Sequence, residues 1–439
     1  MQSASKNSFW YLTFNISRLA VVFVGTILIS RVMGPHDFGE FSYLLSIFLY
    51  STALDSLCHE SVVKKDILNS KEEGIGAVLG SASMLCVILS VIAGAMIGVF
   101  ALFFLENSAH LAALLLFLPG VFSKPTNPIG NYFDSKLLSK YSSLALFLGG
   151  FFSILFRLGS LYFSKDLVFQ TIGYSLQGLI CSAALLLFFR VRSTEKAPWS
   201  VDSKTVISIF RRSAPIFFST ILFMSLSLSD VFMIKHILSA HEVGIYSVVM
   251  RFSEPWVIIS SALCTSYFPV IFREAGNKLR QREIFVQVNS ISALIVLVLG
   301  IVLTLSMNIV VPLTVGPQFN EAIAVFAIYF WGVFFLFWAN IQHIWEVHNG
   351  HYYLSLYKTL FSCCVKIGLN LYLGQRFGLK GFAVATVVAY FFFGFGFNIF
   401  GRYTREYMRM QMDSLRWSSL WMSLSIAYSK GVAWKNRRF

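Results

Sequence analysis

Charged residues are scarce in this chain. Asp, Glu, Lys and Arg make up 13% of its 439 positions, about half the share of a soluble protein. With 56% hydrophobic residues and a mean hydropathy of +0.69, an ordinary water-exposed globule is excluded. Cysteine is scarce too. Cys58, Cys86, Cys181, Cys264, Cys363 and Cys364 lie in or at the edge of apolar segments, with no C-x-x-C pair. That argues against a disulfide framework or zinc site and leaves small core residues. Enzyme signatures are missing: there is no G-x-x-x-x-G-K-[ST], H-E-x-x-H or G-x-S-x-G, so no catalytic site and no cofactor is expected. His348 and His351 sit at a loop without a carboxylate pattern that would complete a metal site. The start of the chain lacks the marks of a cleaved signal peptide. Its apolar stretch is longer than an h-region, holds Arg18 and has no A-x-A site nearby, so it reads as a first membrane span.

What the chain does have is an alternation of long apolar stretches with short polar loops. Bilayer hydrocarbon requires roughly 20 apolar residues per helix. The spans fall at roughly 9–30, 41–58, 75–104, 111–133, 141–163, 167–189, 213–237, 244–269, 284–311, 322–347, 352–372 and 380–401. Basic residues concentrate in every second loop. Of 35 Lys+Arg, about 26 fall in one set of loops and the tails, about 5 in the other set and about 4 inside helices, and cytoplasmic loops are the ones that collect positive charge. Both chain ends are therefore expected in the cytoplasm. Inward loops hold Lys71, Lys204 and Lys278; outward loops hold His110, Lys165 and Gln318. The net charge of +14 is the expected product of such loops facing anionic lipid headgroups and does not call for nucleic acid.

The polar break Arg190–Arg212 divides the chain into six and six spans: a lobe over 1–189, a cytoplasmic linker over 190–212, a lobe over 213–401 and a cytoplasmic tail over 402–439. The halves resemble each other. The segment Ile29–Tyr43 aligns with Ile234–Val248, with identities at Ile29/Ile234, His36/His241, Gly39/Gly244 and Ser42/Ser247. Both turns follow the first span of their half, so the repeat is parallel, an arrangement that places a transporter's substrate site between the halves. The fold class is thus all-α integral membrane, about twelve helices in two six-helix lobes. Pro119, Pro125 and Pro128 interrupt span 4, which is tolerated where neighbouring helices satisfy the freed backbone groups. Gly94 and Gly98 form a G-x-x-x-G that marks close helix packing. In the tail, Trp417, Leu420, Trp421, Leu424 and Tyr428 follow helical spacing, with serines opposite, and predict an amphipathic helix on the inner surface.

Charges inside spans cost roughly 2.5–3.5 kcal/mol each near the bilayer centre, so they face a bundle interior or watery cavity. The basic ones are Arg18, Arg157, Arg251 and Lys366; the acidic ones are Asp55, Asp230, Glu254 and Glu346. Asp55 and Glu346 lie near inner helix ends, where capping or snorkelling explains them. Arg18 shares a polar stripe with Asn7, Tyr11 and Asn15. Arg157 lies between Ser153 and Ser160 on span 5, and Lys366 among Thr359, Ser362 and Asn370 on span 11, the equivalent member of the second half. A cavity lined by such cations suits a phosphate or pyrophosphate; the competing reading is interhelical ion pairing, as between Arg251 and Glu254. Trp331, Trp338 and Trp345 recur by sevens on one face of span 10. Either they pack, or Trp338, at mid-depth, stacks on a sugar ring. With no nucleotide motif to supply energy, Asp230 and then Glu254 are the candidates for binding a coupling ion, unless Asp230 is held by Lys235 or Arg251.

The residues resemble a known family. Arg31-Val-Met-Gly-Pro-His-Asp-Phe-Gly39 looks like the turn after the first helix of polysaccharide-export flippases. Glu242-Val-Gly-Ile-Tyr-Ser247 resembles their second-half turn. Val315-Gly-Pro-Gln-Phe319 and Phe377-Gly-Leu-Lys-Gly-Phe-Ala-Val-Ala-Thr386 resemble later loops. The chain is identified on these as similar to the O-antigen or polysaccharide translocases of the multidrug/oligosaccharidyl-lipid/polysaccharide superfamily. The resemblance implies alternating access in the bacterial inner membrane and an undecaprenyl-pyrophosphate-linked oligosaccharide as cargo. It brings in membrane lipids, a polysaccharide polymerase and a chain-length regulator as partners. It points to Arg18, Arg157, Arg251 and Lys366 as residues that meet the cargo. Two alternatives stay open: a multidrug or cation antiporter of the same superfamily, and a membrane polysaccharide polymerase or ligase, which would need a longer outward loop.

Overall fold

The computed structural model describes residues 2–105, 107–193, 198–274, 276–351 and 353–416. Among them there are helices and turns only. Ten helical stretches are long and apolar enough to cross a membrane. Two of these hold two legs each, so twelve spans result. The helix Gln2–Thr52 breaks at Gly34 (φ 80°, ψ 171°), followed at once by Pro35, and provides spans 1 (2–33) and 2 (35–52). The helix Tyr353–Gly394 breaks at Gly378 (φ 56°, ψ −139°) and provides spans 11 (353–377) and 12 (379–394). Both backbone conformations are ones that a side chain disfavours. At the second break the legs fold back tightly. A Cβ on Gly374 would stand 2.6 Å from the Phe382 ring, and one on Gly381 would run into the carbonyl of Leu373.

The remaining spans are 3 (Glu72–Phe104), 4 (Ser108–Ser135), 5 (Ser139–Phe163), 6 (Leu167–Arg192), 7 (Ser203–Ile237), 8 (Ala240–Arg273), 9 (Lys278–Thr314) and 10 (Glu321–His348). Span 4 is a chain of short helical pieces broken at its prolines. The neighbouring helices do satisfy the freed carbonyls: Ser90 donates to Val121 at 3.1 Å, Ser175 to Leu116 at 2.5 Å and Ser182 to Ser123 at 2.8 Å. The glycine pair of span 3 behaves unevenly. Gly94 meets Phe122 closely, whereas Gly98 faces open space, so only the first glycine serves packing.

The chain forms two compact units, Met1–Met224 and Ser225–Phe439. They divide inside span 7, past the 190–212 linker, because the start of that span is held by the first unit. Arg212 pairs with Asp66 at 2.5 Å, and the Ser213 hydroxyl accepts from the backbone N–H of His59 at 3.2 Å. The second unit carries one further helix, Arg402–Ser414, whose buried face is Thr404, Tyr407, Met410, Gln411 and Ser414. The amphipathic helix expected over 417–428 lies outside the described residues.

Candidate functional site

Each unit encloses polar side chains on its fifth membrane leg. In the first, spans 1 and 5 are zipped by hydrogen bonds from Asn7 to Ser139 and from Asn15 to Ser143, each 3.2 Å. Arg18 continues this seam one turn on, its aliphatic stem laid over Gly150. Its Nε is buried without a hydrogen-bond partner among the described residues, and the residue keeps part of its surface. Arg157 is buried. Its Nε donates to Gln170 of span 6 at 3.1 Å and its guanidinium lies 4.8 Å from the centre of the Phe41 ring of span 2. Span 6 makes room with Gly173, where any Cβ would collide with the Arg157 stem.

In the second unit the polar side chains converge on one carboxylate. Asp230 of span 7 has no exposed surface. It accepts hydrogen bonds from the Tyr246 hydroxyl of span 8 (2.6 Å), the Asn370 amide of span 11 (2.7 Å) and the Thr386 hydroxyl of span 12 (2.8 Å). The Lys366 ammonium of span 11 stands 2.8 Å away and also donates to the carbonyl of Leu226 at 2.5 Å. Neither Lys235 nor Arg251 is the partner; the fold brings in Lys366 from 136 positions along the chain. Two residues expected to serve cargo and ion separately are thus one ion pair. It needs all its donors, because an uncompensated buried charge costs several kcal/mol.

Glu254 sits close by, at the turn Glu254–Trp256 where span 8 changes helix type. The cations acting on it are Arg251, one turn back, and Lys366. Trp338 is placed differently from a sugar platform. It is buried between Phe334 (4.6 Å) and Phe395 (5.7 Å), with its indole N–H toward the Asn289 carbonyl at 3.5 Å. Trp345 likewise packs on Tyr407 at 5.5 Å. Trp338 and Trp345 build core because a flat ring gains most where both faces are covered, whereas Trp331 is exposed.

Two charges read as helix-end residues behave otherwise. Asp55 pairs with Lys124 at 2.7 Å. Glu346 has no exposed surface and holds the equally buried Lys358 at 2.7 Å and the Gln342 amide at 3.0 Å. Gln342 exchanges hydrogen bonds with Asn398, which donates to Gln411 of helix Arg402–Ser414. Lys358 escaped the sequence reading because it stands at the edge of its span. The signal was there: Lys358, Ser362, Lys366 and Asn370 recur every fourth residue.

Comparison with known proteins agrees with this architecture. The MatE family model matches residues 215–372. No curated protein matches the chain. Among solved structures, a multidrug resistance MATE family transporter of the MOP superfamily, in an inward-facing conformation, is similar with a TM-score of 0.73 at 15% identity, covering 91% of this chain and 99% of that one. The lipid II flippase MurJ, in an inward closed conformation, is similar with a TM-score of 0.66 at 12% identity, covering 95% and 93%. A MOP superfamily transporter from Pyrococcus furiosus, described by the reverse polarity of its binding pocket, has a TM-score of 0.63 at 15% identity, covering 93% and 96%. At such identities the likeness is one of fold. The family model for polysaccharide biosynthesis proteins matches residues 4–274, more than half of the sequence, and the chain belongs to that family.

Proposed function

We propose that this protein carries undecaprenyl-pyrophosphate-linked O-antigen or polysaccharide repeat units from the cytoplasmic to the periplasmic leaflet of a bacterial inner membrane, by alternating access and with both chain ends in the cytoplasm. The observation that carries this reading is the polysaccharide-biosynthesis match over residues 4–274 on a chain of transporter fold. Arg18, Arg157 and Arg251, with Asn15 beside the first, are the cations for the pyrophosphate. Lys366 joins them only when Asp230 lets go of it. Asp230, assisted by Glu254, is the group at which a proton or sodium ion taps the membrane potential, worth roughly 2.3 kcal/mol per charge per 100 mV. Trp338 contributes packing. A polymerase and a chain-length regulator are the partners that receive the unit.

Deleting the gene tests the cargo. Surface polysaccharide should disappear while lipid-linked repeat units accumulate inside. Single-cysteine labelling tests the orientation: positions 71, 204 and 278 should be reached only from inside, and 110, 165 and 318 from outside. The match to MatE over residues 215–372 favours a second reading, a multidrug or cation antiporter. Under that reading deletion leaves surface polysaccharide intact and raises drug sensitivity. Transport should slow when an uncoupler collapses the gradient, and Asp230→Asn should mimic that loss. Flipping by Asp230→Asn at the parental, still gradient-sensitive rate would release Asp230 from the coupling role.

A further inference from the structure

We infer that one face of span 11 is a proton path running from the end of the second lobe that holds helix Arg402–Ser414 to Asp230. The inference rests on the reading of Asp230 as the coupling carboxylate and supplies what that reading lacks, a route to a fully buried group. The face carries Lys358, Ser362, Lys366 and Asn370, four successive turns with essentially no exposed surface. Each lysine is matched by its own carboxylate from another span, Lys358 by Glu346 and Lys366 by Asp230. A rise of about 1.5 Å per residue puts the two pairs roughly 12 Å apart, too far for a direct hop.

The gap between them is polar and incompletely bonded. Ser362 Oγ lies midway and is buried with no hydrogen-bond partner among the described residues; so are Glu346 Oε2 at one end and Asn370 Oδ1 and Ser229 Oγ at the other. Buried polar atoms left over in this way are the ones internal water satisfies. One water accepting and donating bonds of about 2.8 Å covers the roughly 6 Å between neighbouring positions of the face. The outer end has an entry. His343, more than half exposed, has its Nδ1 3.8 Å from Glu346 Oε2.

Around the route, Tyr407 interacts with Glu346, Cys363 with Lys366, and Tyr329 with Asp230. Glu346 faces Lys358 and His343. Asp230 faces Lys366 and the Tyr246 hydroxyl, with Tyr390 next to Lys366 and Glu254 within its field. No electrons move. A proton taken by His343 passes to Glu346, then through water and the Ser362 hydroxyl to Asp230, each hop breaking one O–H or N–H bond and forming another. Intramembrane acid and hydroxyl chains of this kind are how pumps relay protons.

The test uses the full-length protein in liposomes, a pH jump, and infrared detection of carboxylic-acid formation, with the proton itself as the only probe. In the parent, acidification should produce a band that Asp230→Asn removes. Ser362→Val, which fills the midpoint with an apolar branch, should slow that band at least tenfold without reducing its final size. Ser362→Thr keeps the hydroxyl and should form it at the parental rate. Ser362→Ala, the smaller change should the valine variant fail to assemble, should slow it severalfold. Equal rates in parent, Ser362→Val and Ser362→Ala would overturn the path while leaving Asp230 as coupling group. A spectrum in which Asp230→Asn removes nothing would overturn the coupling reading and the path with it.

Discussion

The two lobes differ at two equivalent places and at a third nearby. In the register that pairs Ile29 with Ile234, Phe41 corresponds to Tyr246 and Gly25 to Asp230; Arg157 and Lys366, on the fifth leg of each half, are four positions out of that register. In the first lobe the cation rests on the bare face of Phe41 and on Gln170, and the place of the acid is a glycine against which Ile154 is packed. In the second, the ring has gained a hydroxyl, the glycine has become a carboxylate, and the cation is locked to it. One lobe therefore sets its cation against an amide and a ring, and the other locks its cation to a carboxylate. At the two aligned places the halves differ by two side chains, Gly25 against Asp230 and Phe41 against Tyr246.

The largest expected effect comes from breaking the second arrangement. Lys366→Met leaves Asp230 charged and buried, and should cost about 3–5 kcal/mol; melting in detergent should fall accordingly. Adding Asp230→Asn should restore melting to within about 1 kcal/mol of the parent while transport stays lost. Arg157→Met removes a hydrogen bond to buried Gln170 and a ring contact and should cost less, about 1–3 kcal/mol. Equal losses at Arg157 and Lys366 would erase the distinction between the lobes. Next comes Gly25→Ala, expected to cost about 1–3 kcal/mol because its methyl overlaps Ile154 in a packed interface, with Ile154→Ala recovering part of the loss. An unaltered melting curve would show that the glycine is not kept for space.

The smallest effect lies outside the spans. The Thr205 hydroxyl, then the backbone N–H groups of Thr205 and Lys204, hold the carboxyl of Asp202 below its ordinary 3.8. A group lowered on folding stabilises above its unfolded value and loses that contribution as pH falls through the lowered one. The start of span 7 should therefore exchange its first amides faster at pH 3 than at pH 5, after correction for intrinsic rates, and Asp202→Ala should remove the difference. It separates an exposed cap, which acid loosens, from the buried pair of Asp230.

Much of the fold was legible because bilayer thickness imposes a length on every span, and the turns at Gly34 and Gly378 carry residues that few other conformations accommodate. Asp230 stood out because a carboxylate in an apolar helix is expensive. Its partner did not, since local periodicity says nothing about which of several buried cations, far along the chain, the packing will deliver. Glu346 was misread, and its partner Lys358 passed over, for a related reason. They sit at span ends, where sequence suggests water, and only the docking of helix Arg402–Ser414 over Gln411, Asn398 and Gln342 buries them. That helix was itself invisible to hydropathy, because its inner face is built from Thr404, Tyr407, Gln411 and Ser414, polar residues that bond inward.

The hairpin at Gly378 makes spans 11 and 12 a single mechanical part. With no loop between them, and with Gly374 and Gly381 each seated against the opposite leg, neither leg can slide without dragging the other. Dyes or spin labels placed at Leu371 and Val384 would keep one separation through any rearrangement of the spans. They would form a built-in ruler against which the travel of any other span is measured.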